Sequence, residues 1–379
     1  MPHVKKKVID LEGVQMPPKI DDRHHKDRQN APGRRRGRRE QERQRPRRSV
    51  RKHRFEPSIR VRLSQISKDK SDLAGLLTFA ADIFLIALSI WATLWSTWMY
   101  PVAAVVIGTR MRGLATILHE SSHLTLCKTR WLSKAIGWVA GWSIFQTFHA
   151  YKSSHVEEHH PHLGDPERDP DLINYTSQGL FEASPRSLFT QHLLPLALGL
   201  KSYTNLRNLV KDRLLPKDWN NLPVTAKAEY FGFAAFWGCI IGGLSATGYL
   251  WAFALFWMVP YLTVFQAMNW LIELSEHFPL IKLFKNELHV TRNRRGNRLE
   301  NFFTGIHGEN WHLVHHVHPG IPFNKLKQAH QIMMEDPTYR AANQGSGGLF
   351  VKGPKGEPSI LSLMAEQLAE AQSHESERK

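Results

Sequence analysis

Two long stretches of this chain are almost free of charge. Between residues 73 and 109 the only charged side chain is Asp82, and between residues 230 and 272 there is none. A helix needs roughly 20 mostly apolar residues to cross the hydrocarbon core of a bilayer. Each stretch is therefore long enough for two passes and a tight turn. Asp72 stands where the first helix would be capped, Tyr100-Pro101 and Gly248 fall where the turns are expected, and Pro260 predicts a kink in the fourth helix. The pattern predicts an all-α integral membrane protein with four transmembrane helices in two hairpins. A further apolar run, 135–151, is short and rich in Gly, Ser and Thr, and another, 193–200, is shorter still. The first is expected to lie at the interface or re-enter from one side rather than cross.

Charge is as unevenly spread as hydropathy. The 379 residues carry 50 Lys+Arg and 34 Asp+Glu, a formal net charge of +16. Residues 1–72 hold 23 of the basic and 10 of the acidic side chains, a net of +13, which leaves +3 for the other 307. That asymmetry excludes a soluble basic domain. It divides the chain into a disordered basic tail (1–72), a membrane domain (73–335) and a polar C-terminal tail (336–379). Within the last, 344–356 reads as a Gly-rich linker and 358–371 as a short amphipathic helix. The Arg-rich segment 34–54 has no interleaved aromatics and runs towards a membrane span, so anionic lipid is its expected partner and nucleic acid is not. Neither predicted hairpin tip carries Lys or Arg. The positive-inside rule then places the tips outside and both termini in the cytoplasm. The first strongly apolar run begins at Leu73, so no signal peptide is expected. Two cysteines, Cys127 and Cys239, cannot build a disulfide framework.

The 21 histidines change the picture more than charge does. His119 and His123 lie four residues apart at the end of the second predicted span, on one helix face. His155, His159 and His160 follow, with His162 just beyond. There i and i+4 share a face, and i+5 is turned from i+4 by about 100° on an α-helix. His312, His315 and His316 form a third cluster, flanked by His307 and His318, and His277 follows the fourth span. Clustered neutral imidazoles repel on protonation and are costly to bury unpaired, so a metal site is the simplest account. Eight or nine such ligands exceed what one tetrahedral zinc takes. They suit two metals with open positions, for which oxygen chemistry on two irons is a natural use. A rival reading exists, because His119-Glu120-x-x-His123 also fits the HExxH pattern of a membrane zinc protease with Glu120 as general base. It leaves the second and third clusters unused. A metal transporter or sensor would need polar residues within the spans, and 230–272 has no charge. His318-Pro319-Gly320 matches a haem-binding tripeptide but has no small domain around it.

In combination the three clusters resemble the histidine boxes of the membrane fatty acid desaturase and hydroxylase superfamily. So do 109–114 leading into box one, Leu163-Gly164-Asp165-Pro166 and Asp169-Pro170-Asp171 after box two, Glu276-His277, and Asn310-Trp311 opening box three. The resemblance implies a cytosolic cap over the spans and nine ligands to two iron ions: His119, His123, His155, His159, His160, His277, His312, His315 and His316. It implies supporting roles for Glu120, Asp165, Asp169 and Asn310, with Asp171 a further candidate, and a headgroup contact for Arg110 or Arg112. O2 would be co-substrate, and electrons would come from a separate donor of ferredoxin or cytochrome b5 type. The implied reaction is desaturation of a fatty acyl chain of a lipid, with hydroxylation on the same site as the alternative. Box two has three residues between its first histidine and the pair, and box three has Val314 where glutamate is common.

Overall fold

The computed structural model describes residues 50–215, 218–343 and 345–377. Among these there is no strand; one isolated parallel bridge pairs Arg51 with Asn286. The helices used below are α1 Pro57–Ile66, α2 Asp72–Trp95, α3 Tyr100–Ser122, α4 Arg130–Ser143, α5 Phe148–Lys152, α6 Val224–Ala246, α7 Gln266–His277, α8 His312–Val317, α9 Leu326–Met333 and α10 Ile360–Glu377.

Three runs are long and apolar enough to cross a membrane: Asp72–Trp95, Thr97–Ser122 and Leu250–Leu283. The sequence pattern predicts four. The fourth candidate, α6, is a continuous 23-residue helix. Four glycines and the charged Lys227 and Glu229 within it dilute its hydropathy. The first hairpin turns at Ser96, whose extended backbone ends α2, and Pro101 then sits in the first turn of α3, where its missing N–H costs nothing. Ser71 caps α2 through Ala74 N, while Asp72 accepts from Thr129 N and Oγ1, both at 2.7 Å. Gly248 makes the second turn at φ +77°, a conformation that favours glycine. Pro260 is flanked by π-helical turns, Ala254–Met258 and Tyr261–Phe265. Widening of the helix is how the run absorbs a residue that cannot donate.

The hairpin helices are unequal. Along α2, Leu77, Phe84, Trp91 and Trp95 are exposed, an apolar surface suited to lipid. Helix α3 is the central post: Ile107, Met111, Leu114 and Ile117 are fully buried. They pack with Ile136 and Ala140 of α4 and with Phe256, Tyr261 and Phe265 of the third run. Helix α4 covers the predicted short run only in part. Its buried face is Ser133, Ile136, Gly137, Ala140 and Gly141, and a Cβ on Gly137 would stand 2.5 Å from Ser121 Cβ.

Both ends of the described chain pack against this frame. Residues 1–49 of the predicted tail lie outside the described residues, but the tail's last part is helical. Phe55, Ile59, Leu63 and Ile66 are buried against Leu313 and Val314 of α8 and Leu326 and Ala329 of α9. Burying each such Leu or Ile contributes about 1.5–3 kcal/mol relative to exposure. At the other end, Ile360, Met364 and Leu368 of α10 lie on one helix face and join Leu271, Leu274 and Phe278 in a shared core.

Candidate metal centre

Each histidine box is delivered by a different local device. Box one is the last turn of α3, which places His119 and His123 one turn apart with ring centroids at 4.9 Å. Box two is a π-helical turn, Ser153–His159, in which His160 N–H bonds to His155 O. In that geometry residues five apart stack, so His155 and His160 meet, with Nε2 atoms 3.1 Å apart. The α-helical expectation pairs His155 with His159. The wider turn instead sends His159 to the opposite side. Box three follows a chain reversal at His307 (φ +54°) and Gly308 (φ +81°), where a Cβ on Gly308 would meet Phe323 O at 2.9 Å. Its helix α8 then splits: His315 faces one way, His312 and His316 the other.

Two nests result. In the first, one ring nitrogen from each of His119, His123, His155, His160 and His315 lies within 4.8 Å of the others. In the second, nitrogens of His159, His277 and His316 converge likewise. His312 adjoins them, its Nε2 2.9 Å from His277 Nε2 and 3.0 Å from His316 Nε2. All nine expected histidines are thus brought together, and His162, His307 and His318 join neither nest. The nests touch through His160 and His316, whose rings stack at 4.4 Å.

The donor set fits two metal ions. His160 Nε2 lies 3.1 Å from His155 Nε2 and 3.0 Å from His315 Nε2. One N–H cannot serve both neighbours. Nitrogens bound about 2.1 Å from a shared ion stand about 3.0–3.4 Å apart at right-angled to tetrahedral geometry, the spacing seen here. His119 Nε2, His123 Nε2 and His315 Nδ1 are buried with no hydrogen-bond partner among the described residues. Burial first, and neighbouring imidazoles second, hold His123, His155, His160, His312, His315 and His316 well below the usual histidine range. They are neutral at pH 7, the state that ligates.

Carboxylates orient some of these rings. Glu120 Oε1 is 3.0 Å from His119 Nδ1, and its Oε2 accepts from Thr125 Oγ1 at 2.6 Å. Both oxygens are thus engaged, and a zinc-protease reading still leaves the other seven histidines of the two nests without a use. Asp169 Oδ1 lies 2.8 Å from His159 Nδ1, and Oδ2 accepts from Gly164 N at 2.7 Å. Asp171 approaches the same ring at 3.5 Å. Asp165 does not reach a ligand and instead accepts from Glu167 N in a turn. Asn310 donates to Arg294 O at 3.1 Å. It supports the strand of chain beside the nest rather than an imidazole.

Several further contributors are not box histidines. Glu276 Oε2 is 3.5 Å from His312 Nδ1, and its Oε1 is 3.3 Å from the buried Arg294. Arg112 bonds Glu309 and Asn269 across α3, α7 and the loop before box three. Arg110 pairs with Asp82 at 3.3 Å, and His307 reaches the same carboxylate at 2.7 Å. Neither arginine is placed for a headgroup contact. Glu229 of α6 accepts from Phe148 N and from His149 N, fixing the start of the helix that leads into box two. Asp82 is visible beforehand as the lone charge of its span, and Glu276, Arg110, Arg112 and His307 stand in or beside the motifs; Arg294, Glu309 and Glu229 are ordinary polar residues until folding pairs them.

Comparison with known proteins agrees with this geometry. The fatty acid desaturase profile matches residues 95–346. Dihydrorhizobitoxine desaturase of Bradyrhizobium elkanii is 38% identical over 318 residues, 83% of this chain and 90% of that one. The sn-1 oleoyl-lipid 12-desaturase of Anabaena variabilis is 22% identical across 67% of this chain and 75% of its own length. The sn-1 acyl-lipid omega-3 desaturase (ferredoxin) of a Synechocystis strain is 23% identical across 73% and 75%. The chain carries the boxes in order, gathers them into one centre, and belongs to the fatty acid desaturase family.

Proposed function

We propose that this protein is a membrane-bound, O2-dependent desaturase that holds two iron ions and acts on the acyl chain of a lipid. The observation that carries the reading is the pair of nests, five imidazoles in one and four in the other, with Nε2 atoms at coordination spacing. His119, His123, His155, His160 and His315 would hold one ion, and His159, His277, His312 and His316 the other. When bound, the irons supply the oxygen activation that breaks an unactivated C–H bond. The balanced change is –CH2–CH2– plus O2, two electrons and two protons giving –CH=CH– and two waters. The oxygen is reduced and the carbons are oxidised.

The chain's own residues do the preparation. Asp169 and Glu120 fix two rings by accepting their Nδ1–H, which sends Nε2 into the nests. Burial keeps His123, His155, His160, His312, His315 and His316 unprotonated. The apolar spans offer the surroundings an alkyl chain needs, and two of the compared relatives are named for acyl lipids. The 38% relative is named for dihydrorhizobitoxine, so the product search must include soluble molecules. Neutral hairpin tips and basic flanks support four passes, with α6 the fourth and both termini and the nests cytoplasmic. A separate one-electron donor completes the system, and one relative's name carries ferredoxin.

Metal analysis of the purified full chain tests the core of this reading. About two irons per chain, with new double bonds in the lipids of expressing cells, is the expected result. One zinc, or an alcohol as sole product, overturns the iron or the desaturation respectively.

A further inference from the structure

Both nests border one small cavity. Its volume is about 20 Å³, and it is lined by His160 of the first nest and His316 of the second, together with Lys52, Leu163 and Glu287. It has room for about one water. The same two rings stack at 4.4 Å with an interplanar angle of 21°. The cavity therefore reaches the closest ring pair between the two nests.

A basic rim surrounds this cavity. Lys52 is half in solvent, its side chain 48% exposed, and its Nζ lies 3.8 Å from Glu287. Arg51 and Lys285 are exposed, and the chain locks them side by side: Arg51 N donates to Lys285 O at 2.8 Å, and Glu287 N to Arg51 O at 3.1 Å. Lys285 Nζ in turn reaches Gly164 O at 3.3 Å, just after box two. Glu287 is buried, and one of its oxygens accepts from His53 N at 2.7 Å. Three exposed cations, Lys52 at the cavity and Arg51 and Lys285 tied to the chain beside it, thus lie near one buried carboxylate. Lys285 also lies beyond the end of the apolar run Leu250–Leu283, whose long helix stops at His277.

We propose that this rim is the docking face for the electron donor, a soluble one-electron carrier whose redox centre is ringed by acidic side chains, and that electrons pass to the nests through His160 and His316. The inference rests on the desaturase reading and adds where the donor docks and which charges receive it. Opposite charge brings the carrier in and orients it, and the cavity gives a short way to one ring of each nest. An anionic lipid surface would also favour three cations, but it has no use for a passage to both sets of ligands.

The test uses the full chain in detergent, loaded with iron, and a reduced acidic [2Fe–2S] ferredoxin as probe. Affinity is measured by titration at low and high salt, and iron reduction is followed spectroscopically with ferredoxin or with dithionite. Lys52→Glu with Lys285→Glu should weaken ferredoxin binding by about tenfold or more and slow ferredoxin-driven reduction in step. Iron content and dithionite reduction should stay as in the parent. Lys134→Glu on α4, an equally exposed charge, should change neither. Where the double variant fails to fold, Lys52→Gln replaces it, with about threefold weaker binding expected. Undiminished ferredoxin binding and reduction in these variants overturns the proposal. So does selective loss of binding to vesicles containing phosphatidylglycerol, which would make the rim a lipid contact. If the parent chain holds no iron, the desaturase reading fails instead, and ferredoxin affinity still reports on the rim separately.

Discussion

The two histidine nests are built from the same residue type and share all but one of their sequence boxes, yet they are supported differently. In the second nest every ring is buried, and three of four have an identified partner behind them: His159 on Asp169, His277 on Val290 O, and His312 beside Glu276. In the first, His119, His123 and His160 are only partly buried, and Glu120 is the one carboxylate that holds a ring. Three of its ring nitrogens lack a hydrogen-bond partner among the described residues. The second nest is held in shape by the protein. The first has less support behind its rings and is more open to solvent. Preorganisation and access are divided between the two.

Deleting one ligand from each nest breaks the comparison most severely. His315→Ala and His316→Ala should each abolish desaturation, and iron content should fall from about two towards one per chain. The two variants should retain different ions, distinguishable by absorption and magnetic spectra. Identical spectra, or two ions retained in both, would show that the nests are not separate sites.

The next largest effect lies inside the membrane. Asp82 is fully buried within α2 and holds Arg110 and His307, and Arg110 also binds Phe302 O. The triad pins the loop that delivers box three to both nests. Asp82→Asn leaves Arg110 unpaired in a dry place and should cost about 3–5 kcal/mol, read as a drop in melting temperature in detergent. Arg110→Met should cost less when added to Asp82→Leu than when made alone, because the unpaired charge is then gone. Equal losses would mean the pair does not couple.

Removing support without removing a ligand compares the nests directly. Asp169→Asn and Glu120→Gln should each weaken iron affinity by about 10–100-fold. The loss should be larger for Asp169→Asn, because Asp169 also fixes Gly164 N and the turn after box two. Competition with a chelator measures both, and a larger loss for Glu120→Gln would reverse the assignment of the preorganised nest.

Much of this was legible beforehand because histidine spacing is local information. His119 and His123 needed only an α-helix to meet. The split of box two was not legible: HxxxHH reads as an α-helical face, and nothing in Ser153–His159 announces a π turn that pairs positions five apart. The same limit applies to Arg294 and Glu229. Each is one polar residue among many, and only its long-range partner gives it a role. The four-span expectation rested on absence of charge. Glycines in α6 show that absence of charge is not the same as hydropathy. Within 336–379 the amphipathic helix expected over 358–371 is present as α10, and only its packing partners Leu271, Leu274 and Phe278 lie beyond what spacing shows.

His330 offers the finest comparison, since it is buried and neutral like the nest imidazoles yet belongs to neither nest. Its Nδ1 lies 2.9 Å from Tyr339 Oη, and its ring packs at 4.5 Å on Trp311, next to the ligand His312. Burial brings its pKa down to about 4, below the value of about 6.5 in an unfolded chain. Between those values the unfolded state binds more protons than the native one. The contribution is thus fully present above pH 6.5 and is lost as pH falls towards 4, at no more than about 1.4 kcal/mol per pH unit. His330→Phe should flatten the acid limb of the stability curve by up to one proton while leaving stability above pH 7 within about 1–2 kcal/mol of the parent, the worth of one hydrogen bond. The flattening should be the same in iron-loaded and chelator-treated protein, because no ion competes for this ring. A change confined to the loaded form would place His330 in the support of the second nest, and would extend that nest's preorganisation through Trp311.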